Sequence, residues 1–430
     1  MKILTGNFAQ LQAQVATRQQ QAASRPEVEA AVADIIQTVR IQGDAALKAY
    51  SEQFDKTKVA TFRVSDATIE AAYAACSPEL LTALELAKRN ITSYHKQEVT
   101  GGFIDAEQAG VIRGQKVTPL AAVGLYVPGG TAAYPSTIMM AAIPAKIAGV
   151  KNIVIVTPPQ PGGINPAVLA AAKLAGVDAV YQVGGAQAIA ALAFGTESIP
   201  RVDKIMGPGN IFVATAKKQV FGQVAIDMIA GPSEIGVIAD EKANPRHVAA
   251  DLLSQAEHDR LARPMLVTPS LTLAKAVSAE IDRQLLTLPR QEIARASVDG
   301  EGFIAITANL DQAFDLMNRI APEHLEVQVD EPITYLNRIQ NAGSVFLGRT
   351  ASEPLGDYVA GPNHILPTAG TARFFSPLGV QDFVKRIQFV QYTEAALAKE
   401  ASAVTTLART EGLEAHARAI ESRFEADQQD

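Results

Sequence analysis

From about residue 120 onward, the sequence alternates between short β-branched runs that end in Gly or Pro and Ala-rich segments with helical spacing. The first runs are AAVGLYVPGG, NIVIVTPP, DAVYQVGG and DKIMGPGN. The rhythm resumes after 233 with EIGVIAD, PMLVTPS, GFIAITAN and AGSVFLG, separated by helical patterns near 245–260, 271–287 and 311–320. Alternation of this type predicts parallel strands joined by crossover helices. We therefore expect an α/β fold with two Rossmann-like parallel-sheet domains.

The two ends of the chain have a different pattern. Within the first hundred residues, one apolar helical face is formed by Val28, Val32, Ile35, Ile36 and Val39. A loop-like stretch at 369–379 precedes a charged, Ala-rich tail that reads as helical from 382. These patterns predict helical N- and C-terminal extensions. The expected division is an N-terminal extension at 1–25, a discontinuous first α/β domain at 26–125 and 234–380, a second Rossmann-like domain at 126–233, and a helical dimerisation tail at 381–430.

Composition and charge limit the kinds of molecule that the protein is expected to bind. The chain has 430 residues, 48% of them apolar, and a net charge of 38 − 45 = −7 without a basic stripe. The most apolar segment is interrupted by Pro144 and Lys146, and the N-terminus lacks a signal-peptide pattern. The single cysteine, Cys76, excludes a cysteine-rich zinc site. We expect a cytoplasmic protein that binds a small molecule, with neither nucleic acid nor membrane as its partner.

Four glycine-rich turns follow predicted strands, at 126–136, 183–190, 206–210 and 230–234. Ligands of open parallel sheets bind beyond the carboxyl ends of the strands, and glycine lets backbone N–H groups approach a phosphate there. None of the turns matches G-x-G-x-x-G, and each alone is compatible with an ordinary strand-to-helix connection. Together they favour a nucleotide or phosphorylated ligand.

Polar residues form two further clusters. Glu323 and His324 stand together in APEHLEV, where a turn entering a strand could point both into a cleft as separate proton carriers, unless they are a surface Glu beside a half-buried His. Asp357 and His364 lie in a Gly- and Pro-containing loop that could also be a plain surface turn. The contexts of His95 and His247 predict solvated helix residues.

The segment LLSQAEHD places Gln255 and His258 three positions apart in a helical pattern, so that both side chains could meet at one metal ion. Joined by Asp357 and one further imidazole, they would form a mixed N/O set that suits zinc, with manganese or cobalt as alternatives. A Q-x-x-H pair by itself is weak evidence, because Gln is an uncommon zinc ligand.

Collectively these motifs resemble the histidinol dehydrogenase family. The resemblance runs from TVRIQGDAAL at 38–47 to the tail. The motifs that carry it are highly specific when taken together: GLYVPGG, VGGAQAIAALAFGT, KIMGPGN, AIDMIAGPSEIGVIAD, DLLSQAEHD, APEHLEV, EPLGDYVAGPNHILPT and EGLEAHA. It implies an NAD-linked, zinc-dependent oxidation of L-histidinol through L-histidinal to L-histidine, with two NAD reduced in succession. It also implies one zinc per subunit and a homodimer whose active site is shared between subunits.

The resemblance assigns roles residue by residue. The implied zinc ligands are Gln255, His258, Asp357 and His416, and the implied contacts to the dinucleotide are Tyr126, Gln187 and Asn210. His324 would accept the alcohol proton, and Glu323 would activate water to attack the aldehyde. The implied substrate contacts are Ser233, Gln255, His258, His324, Asp357, Glu411 and His416, with His364 as a further neighbour. Glu411 and His416 would reach the site from the other subunit.

The residues leave other interpretations open. A zinc hydrolase could use Glu323 as the base or Ser233 as a nucleophile, although AGPSE lacks the G-x-S-x-G elbow. A dehydrogenase acting on another amino alcohol or a sulfonate, and a metal-dependent regulatory module without turnover, are further alternatives. A covalent route for aldehyde oxidation would need an activated cysteine, whereas Cys76 stands in a helical segment without a nearby His or Lys and is expected to be a packing residue.

Overall fold

The computed structural model describes residues 1–19, 25–129, 134–229 and 231–425. Contacts divide the chain into two units, one formed by 1–99 and 120–383, the other by 100–119 and the chain from Val384 onward. The strands are β1 Lys2–Leu4, β2 Phe103–Asp105, β3 Val111–Pro119, β4 Ala122–Tyr126, β5 Asn152–Thr157, β6 Ala179–Gln182, β7 Lys204–Met206, β8 Ala225–Ile226, β9 Glu234–Ala239, β10 Arg263–Thr268, β11 Phe303–Ile306, β12 His324–Gln328, β13 Ser344–Leu347 and β14 Val384–Tyr392.

Helices connect and cover these strands. They are α1 Phe8–Gln19, α2 Pro26–Gln42, α3 Asp44–Phe54, α4 Asp66–Ala75, α5 Pro78–His95, α6 Pro135–Ala148, α7 Pro166–Ala175, α8 Gly185–Phe194, α9 Ile211–Val220, α10 Pro245–Ala256, α11 Leu271–Leu285, α12 Gln291–Gly300, α13 Leu310–Ile320, α14 Glu353–Tyr358, α15 Glu394–Thr410 and α16 Glu414–Glu421. None of the described helices is both long and apolar enough to cross a bilayer.

The first unit contains two fully parallel sheets, which confirms the predicted α/β fold class. One has five strands in the order β6-β5-β4-β7-β8, and the other has six in the order β1-β11-β10-β9-β12-β13. In each sheet the strand order reverses beside a central strand, at β4 and β7 in the first and at β9 and β12 in the second. These are the topological switch points at which open α/β sheets leave a crevice.

Burial on both faces explains why the sequence shows continuous apolar runs. Every residue of β9 is buried, including Glu234, and so is every residue of β12. The apolar face predicted for α2 is also confirmed: Val32, Ile35 and Val39 are buried in a core shared with the five-stranded sheet. The same core includes residues of α8, so α2 and α8 pack together against the five-stranded sheet.

Packing differs from the proposed domain boundaries in two respects. Residues 1–25 contribute more than a helix, because Lys2–Leu4 adds a parallel edge strand beside β11. Helices α2 to α5, assigned to the domain of 234–380, instead share cores with elements of the five-stranded sheet. Short-range periodicity identifies a helix but not the sheet that it covers, so the boundaries themselves stay a prediction.

The second unit corrects the expectation of a purely helical tail. Val384–Tyr392 is a strand of nine residues paired antiparallel with β3, and β2 pairs with the other edge of β3. The segment is rich in β-branched and aromatic residues, which favour strands, but its polar and apolar residues do not alternate strictly. Helices α15 and α16 follow it.

His95 is also corrected. The prediction of a solvated histidine is wrong, because His95 is 0% exposed at the end of α5. Its Nδ1 lies 2.8 Å from the Glu98 carboxylate, and its Nε2 lies 3.4 Å from the Asn363 amide. These partners satisfy the buried ring, so His95 is a structural residue.

Candidate active site

Glu323 and His324 lie where β12 begins, at the switch point of the six-stranded sheet. His324 pairs with Ile235 of β9 on one side and Ser344 of β13 on the other. Both side chains are buried, with residue exposures of 8% for Glu323 and 4% for His324. The reading of a surface Glu is thereby excluded. Each crossover helix runs back from the carboxyl edge of the sheet to its amino edge. Helix α10, which follows β9, therefore also ends at the amino edge.

The two side chains are held by one residue of the neighbouring strand. The N–H of Glu234 donates to Oε2 of Glu323 at 2.9 Å, and Nδ1 of His324 lies 3.0 Å from the carbonyl oxygen of Glu234. A carbonyl oxygen can only accept, so Nδ1 carries the proton. In the neutral ring, Nε2 of His324 is then an acceptor, and it is buried without a hydrogen-bond partner among the described residues.

Two carboxyl groups of α14 face this free nitrogen. Oε1 of Glu353 and Oδ1 of Asp357 each lie 3.9 Å from Nε2 of His324. The donor atoms of the three residues lie within 4.8 Å of one another, close enough to hold one metal ion. Glu353 escaped the sequence analysis, although its position four residues before Asp357 on a helix signals a shared face.

Burial and neighbouring charges shift the pKa values of these carboxyl groups in opposite directions. Burial raises the pKa of Glu353 to about 8, with the Asp357 carboxylate adding to the effect. Burial also opposes ionisation of Asp357, but the hydrogen bond and charge of His364 outweigh it and hold that pKa well below its usual range. Burial raises the pKa of Glu323 well above its ordinary value. The cluster thus combines one ionised carboxylate, Asp357, with two carboxyl groups that hold a proton more tightly than usual.

Gln255 and His258 lie at the carboxyl end of α10. Gln255 is 1% exposed, and its amide oxygen and nitrogen have no hydrogen-bond partner among the described residues. His258 lies in the turn after the helix and not inside it, with its N–H donating to the Gln255 carbonyl at 3.1 Å. Desolvation lowers the pKa of the His258 ring although the residue is exposed overall, and the nearby Asp357 carboxylate raises it.

These observations fit a divalent cation. A buried amide with both ends unsatisfied costs about 1–3 kcal/mol unless a ligand completes it. The neighbouring donors are imidazole nitrogens and carboxylate oxygens, and this mixed set suits zinc. Gln255, His258 and Asp357, three of the four sequence-predicted ligands, belong to this part of the first unit.

Ser233 and His364 border the same group. Ser233 is half-buried directly before β9, and its carbonyl accepts the N–H of Arg263 at 2.9 Å. Nδ1 of His364 lies 3.0 Å from the Asp357 carbonyl and 3.5 Å from its carboxylate. Its Nε2 lies 3.2 Å from Oγ1 of Thr137, in the first turn of α6. His364 therefore links the carboxylate cluster to the half of the unit that contains the five-stranded sheet.

Glu411 and His416 belong to the second unit. Glu411 is the residue directly after α15, and His416 lies on α16; both are exposed in this chain. Their predicted roles at the site stay predictions.

The residues predicted to bind a dinucleotide gather at the carboxyl edge of the five-stranded sheet. Tyr126 ends β4, is 3% exposed, and accepts the N–H of Gly185 on its hydroxyl at 3.1 Å. Burial raises its pKa to about 12, so the phenol is neutral. Gln187 is buried in α8, with its amide beside the Cα of Gly185. Asn210 follows β7 and caps α9 by accepting the N–H groups of two residues, Phe212 and Val213.

A buried ion pair fixes the turn between β7 and α9. The Lys217 ammonium contacts the Asp227 carboxylate and donates to the Gly207 carbonyl at 2.9 Å, while that carboxylate accepts the Gly207 N–H at 2.8 Å. Gly207 has φ of 108°, and a Cβ there would lie 2.2 Å from the Tyr126 carbonyl oxygen. Only glycine fits this position. Residues 130–133, part of another predicted glycine-rich motif, lie outside the described residues.

Comparison with known proteins identifies close relatives. A model of the histidinol dehydrogenase family matches residues 17–424. A histidinol dehydrogenase of Lactiplantibacillus plantarum is 67% identical over 425 residues, covering 99% of both chains, and one of Listeria monocytogenes is 58% identical over 427 residues, covering 99% of this chain and 100% of the relative. A crystal structure of histidinol dehydrogenase from Elizabethkingia anophelis superposes with a TM-score of 0.93 at 37% identity, covering 99% of this chain and 98% of the other.

Proposed function

Because the chain belongs to the histidinol dehydrogenase family and is an NAD-linked oxidoreductase of histidine biosynthesis, we propose that it oxidises L-histidinol through L-histidinal to L-histidine. Two NAD molecules are reduced in succession. The observation that carries the proposal is the buried Glu323–His324 pair, whose free Nε2 faces the carboxylates of α14. Neither a hydrolase nor a regulatory module explains that pair together with a separate polar cluster at the carboxyl edge of the five-stranded sheet.

The ligands of the proposed zinc ion are Gln255, His258, Asp357 and His416, one ion per subunit. Zinc, when bound, supplies a positive centre that orients the amino and imidazole nitrogens of the substrate. The unsatisfied amide of Gln255 and the ionised carboxylate of Asp357 support this assignment. Glu353 adds a buried acceptor on the same side of His324, suited to an N–H or ammonium group of the substrate.

His324 performs the proton transfer of the first oxidation. Its Nε2 accepts the hydroxyl proton of the alcohol while the carbon gives up a hydride to the nicotinamide, and the C–O bond becomes a carbonyl. The hydrogen bond from Nδ1 to the Glu234 carbonyl keeps the ring in the tautomer that this step needs. Ser233, which lies directly before β9, is the proposed substrate contact beside this pair.

Glu323 performs the proton transfer that precedes the second oxidation. Its carboxylate accepts a proton from water, whose oxygen attacks the aldehyde carbon. The proton that Nε2 of His324 took up in the first oxidation returns to the carbonyl oxygen, which gives the hydrate. Loss of a second hydride to NAD and of a proton then yields the carboxylic acid. Burial raises the pKa of Glu323, so its carboxylate is a stronger base than an exposed one. The single cysteine, Cys76, donates to the Ala72 carbonyl at 3.3 Å and packs beside the core of α4 and α5, as a structural residue does.

NAD is proposed to bind over the carboxyl edge of the five-stranded sheet, with Tyr126, Gln187 and Asn210 as contacts. The support is their convergence on Gly185 and on the turn at Gly207, beside the switch point of the sheet. NAD supplies the hydride acceptor. The chain itself supplies backbone N–H groups and neutral polar side chains at that edge.

The test is the ratio of NADH formed to L-histidinol consumed by the zinc-loaded protein. We expect a ratio near two for the wild type, since each oxidation reduces one NAD. Glu323→Gln should oxidise added L-histidinal at least 10²-fold more slowly while alcohol oxidation falls less. His324→Gln is the matched variant and should fail first in alcohol oxidation. A wild-type protein that forms no NADH from L-histidinol would overturn the proposal and favour another amino alcohol as the substrate.

A homodimer with shared active sites is the proposed assembly, in which Glu411 and His416 of one chain complete the site of a second copy. Both residues are exposed in the single chain. The β14-β3-β2 sheet and α15 also expose large apolar side chains, which an assembly would cover: Phe103, Ile104, Val390 and Leu407. Asp357→Ala and His416→Ala protomers, each inactive alone, should recover about a quarter of wild-type activity when refolded together, because half of the dimers then hold one intact site. No recovery would place each site within one chain.

A further inference from the structure

Glu234 contacts both members of the proton-transfer pair through its backbone. Its N–H holds the Glu323 carboxylate at 2.9 Å, and its carbonyl accepts the Nδ1 proton of His324 at 3.0 Å. One peptide segment at the start of β9 therefore sets the orientation of the base for water and the tautomer of the imidazole. A shift of this segment would disturb both groups together.

The side chain of Glu234 fixes that segment in place. It is 3% exposed, and its carboxylate lies 3.4 Å from the Arg263 guanidinium and accepts the N–H of Ala369 at 3.2 Å. Arg263 is the cross-strand neighbour of Glu234 in β10, and Ala369 belongs to a loop from a distant part of the chain. The carboxylate thus ties the start of β9 to two other segments.

Arg263 has a second carboxylate within reach. Its Nε lies 3.5 Å from Oε2 of Glu301, and the Arg263 side chain is 15% exposed. The Arg263 guanidinium therefore lies between two carboxylates, those of Glu234 and Glu301. Of these two residues, Glu234 is the one whose backbone contacts Glu323 and His324. A buried charge of this kind is costly to leave unpaired, so the arrangement resists rearrangement.

We infer that Glu234, held by Arg263, is the positioning residue of this enzyme: it fixes Glu323 and His324 for successive proton transfers without touching the substrate. The inference rests on the proposed function, which assigns those transfers to the pair. Positioning residues that orient a catalytic imidazole typically change turnover by about 10–100-fold when altered.

The test compares Glu234→Gln with Glu301→Gln in the zinc-loaded protein, with rates expressed per intact site from zinc content. Each variant removes one carboxylate from the same guanidinium, but only the first alters the residue that holds the pair. We expect Glu234→Gln to lower kcat for both half-reactions by about tenfold while KM for L-histidinol and NAD changes by less than about twofold. Glu301→Gln should keep kcat within about twofold of the wild type.

Arg263→Lys and Arg263→Met extend the comparison. Arg263→Lys keeps the charge but not the guanidinium fork, and it should retain more kcat than Arg263→Met. If Arg263→Met does not fold, Glu234→Gln still decides, because its amide can accept the Ala369 N–H. Equal loss of kcat in the Glu234 and Glu301 variants, or unchanged kcat per site in Glu234→Gln, would overturn the positioning role.

A spectroscopic readout separates this inference from the proposed function. The ¹⁵N shifts of the His324 ring, assigned by their loss in His324→Gln, should report a proton on Nδ1 in the wild type and a mixed tautomer in Glu234→Gln. A wild type that shows the expected tautomer but forms no NADH from L-histidinol would refute the substrate and leave the positioning role standing. A tautomer unaffected by Glu234→Gln would refute the positioning role alone.

Discussion

The two parallel sheets of the first unit place their functional residues at opposite edges. In the five-stranded sheet, Tyr126 ends β4 and Asn210 follows β7, so the proposed dinucleotide contacts lie at the carboxyl edge. In the six-stranded sheet, Glu234 begins β9 and His324 begins β12, so the proposed proton-transfer pair lies at the amino edge. The rule that ligands bind beyond the carboxyl ends of strands therefore locates only the first set.

A buried ion pair supports each edge. Lys217 and Asp227 hold both backbone polar groups of Gly207, next to the Tyr126 carbonyl. Arg263 and Glu234 hold the strand start from which Glu323 and His324 are oriented. In both cases a pair of charges fixes backbone groups that no substitution can alter directly. The difference teaches that the proposed dinucleotide edge has its backbone fixed for a ligand, whereas the other edge uses backbone groups to orient the side chains of the proposed proton-transfer pair.

The largest expected effect is a loss of kcat without a loss of NAD affinity, caused by a substitution at the amino edge of the six-stranded sheet. His324→Ala removes the acceptor of the alcohol proton, so kcat with L-histidinol should fall by about 10²–10⁴-fold. The apparent dissociation constant of NAD, measured by fluorescence titration, should stay within about twofold, because its contacts lie on the other sheet. His95→Gln is the control: it alters a buried histidine held by Glu98 and should lower stability rather than kcat per intact site. A comparable loss of NAD affinity in His324→Ala would contradict the separation.

Zinc affinity provides the next test. Asp357→Asn keeps the size of the side chain but removes the ionised carboxylate from the cluster, so zinc affinity should fall by about 10–100-fold. Competition with a chromogenic chelator measures this directly, without turnover. Asp382→Asn, which breaks an ion pair with Lys204 on the other sheet at 2.8 Å, should leave zinc affinity unchanged. If both variants lose zinc equally, Asp357 is not a ligand.

The pKa of Glu353 predicts how the amino edge responds to pH. The native pKa of about 8 lies above the ordinary value of 4.5, so the native protein keeps a proton that the unfolded chain releases between these values. The resulting stability is fully present below the ordinary value and is lost as pH rises through the native one. Urea unfolding of zinc-free protein should show the wild type losing about 3–4 kcal/mol relative to Glu353→Gln between pH 5 and 8. A constant difference across this range would show that Glu353 titrates normally.

Local sequence patterns predicted the two parallel sheets because each strand and crossover helix has its own periodicity. They did not predict β14, whose partner Val111–Pro119 lies far away in sequence, or the buried state of His95, which depends on Asn363. Similarly, a family motif identified Glu323 and His324, but the contact that orients both comes from Glu234, ninety positions earlier for His324. Residues that act through packing across strands give little signal in a linear pattern.

The smallest effect is expected at the carboxyl edge, from Tyr126→Phe. The change leaves the half-buried N–H of Gly185 without the hydroxyl acceptor that lies 3.1 Å away, which should cost about 1 kcal/mol of stability. Since Gln187 lies beside Gly185, the start of α8 should shift and KM for NAD should rise by about threefold to tenfold. Tyr181→Phe, in a buried tyrosine on β6 of the same sheet, is the control. The relative rates of alcohol and aldehyde oxidation should stay unchanged, because Glu323 and His324 are oriented from the other sheet; a selective loss of one half-reaction would show that the two edges are not independent.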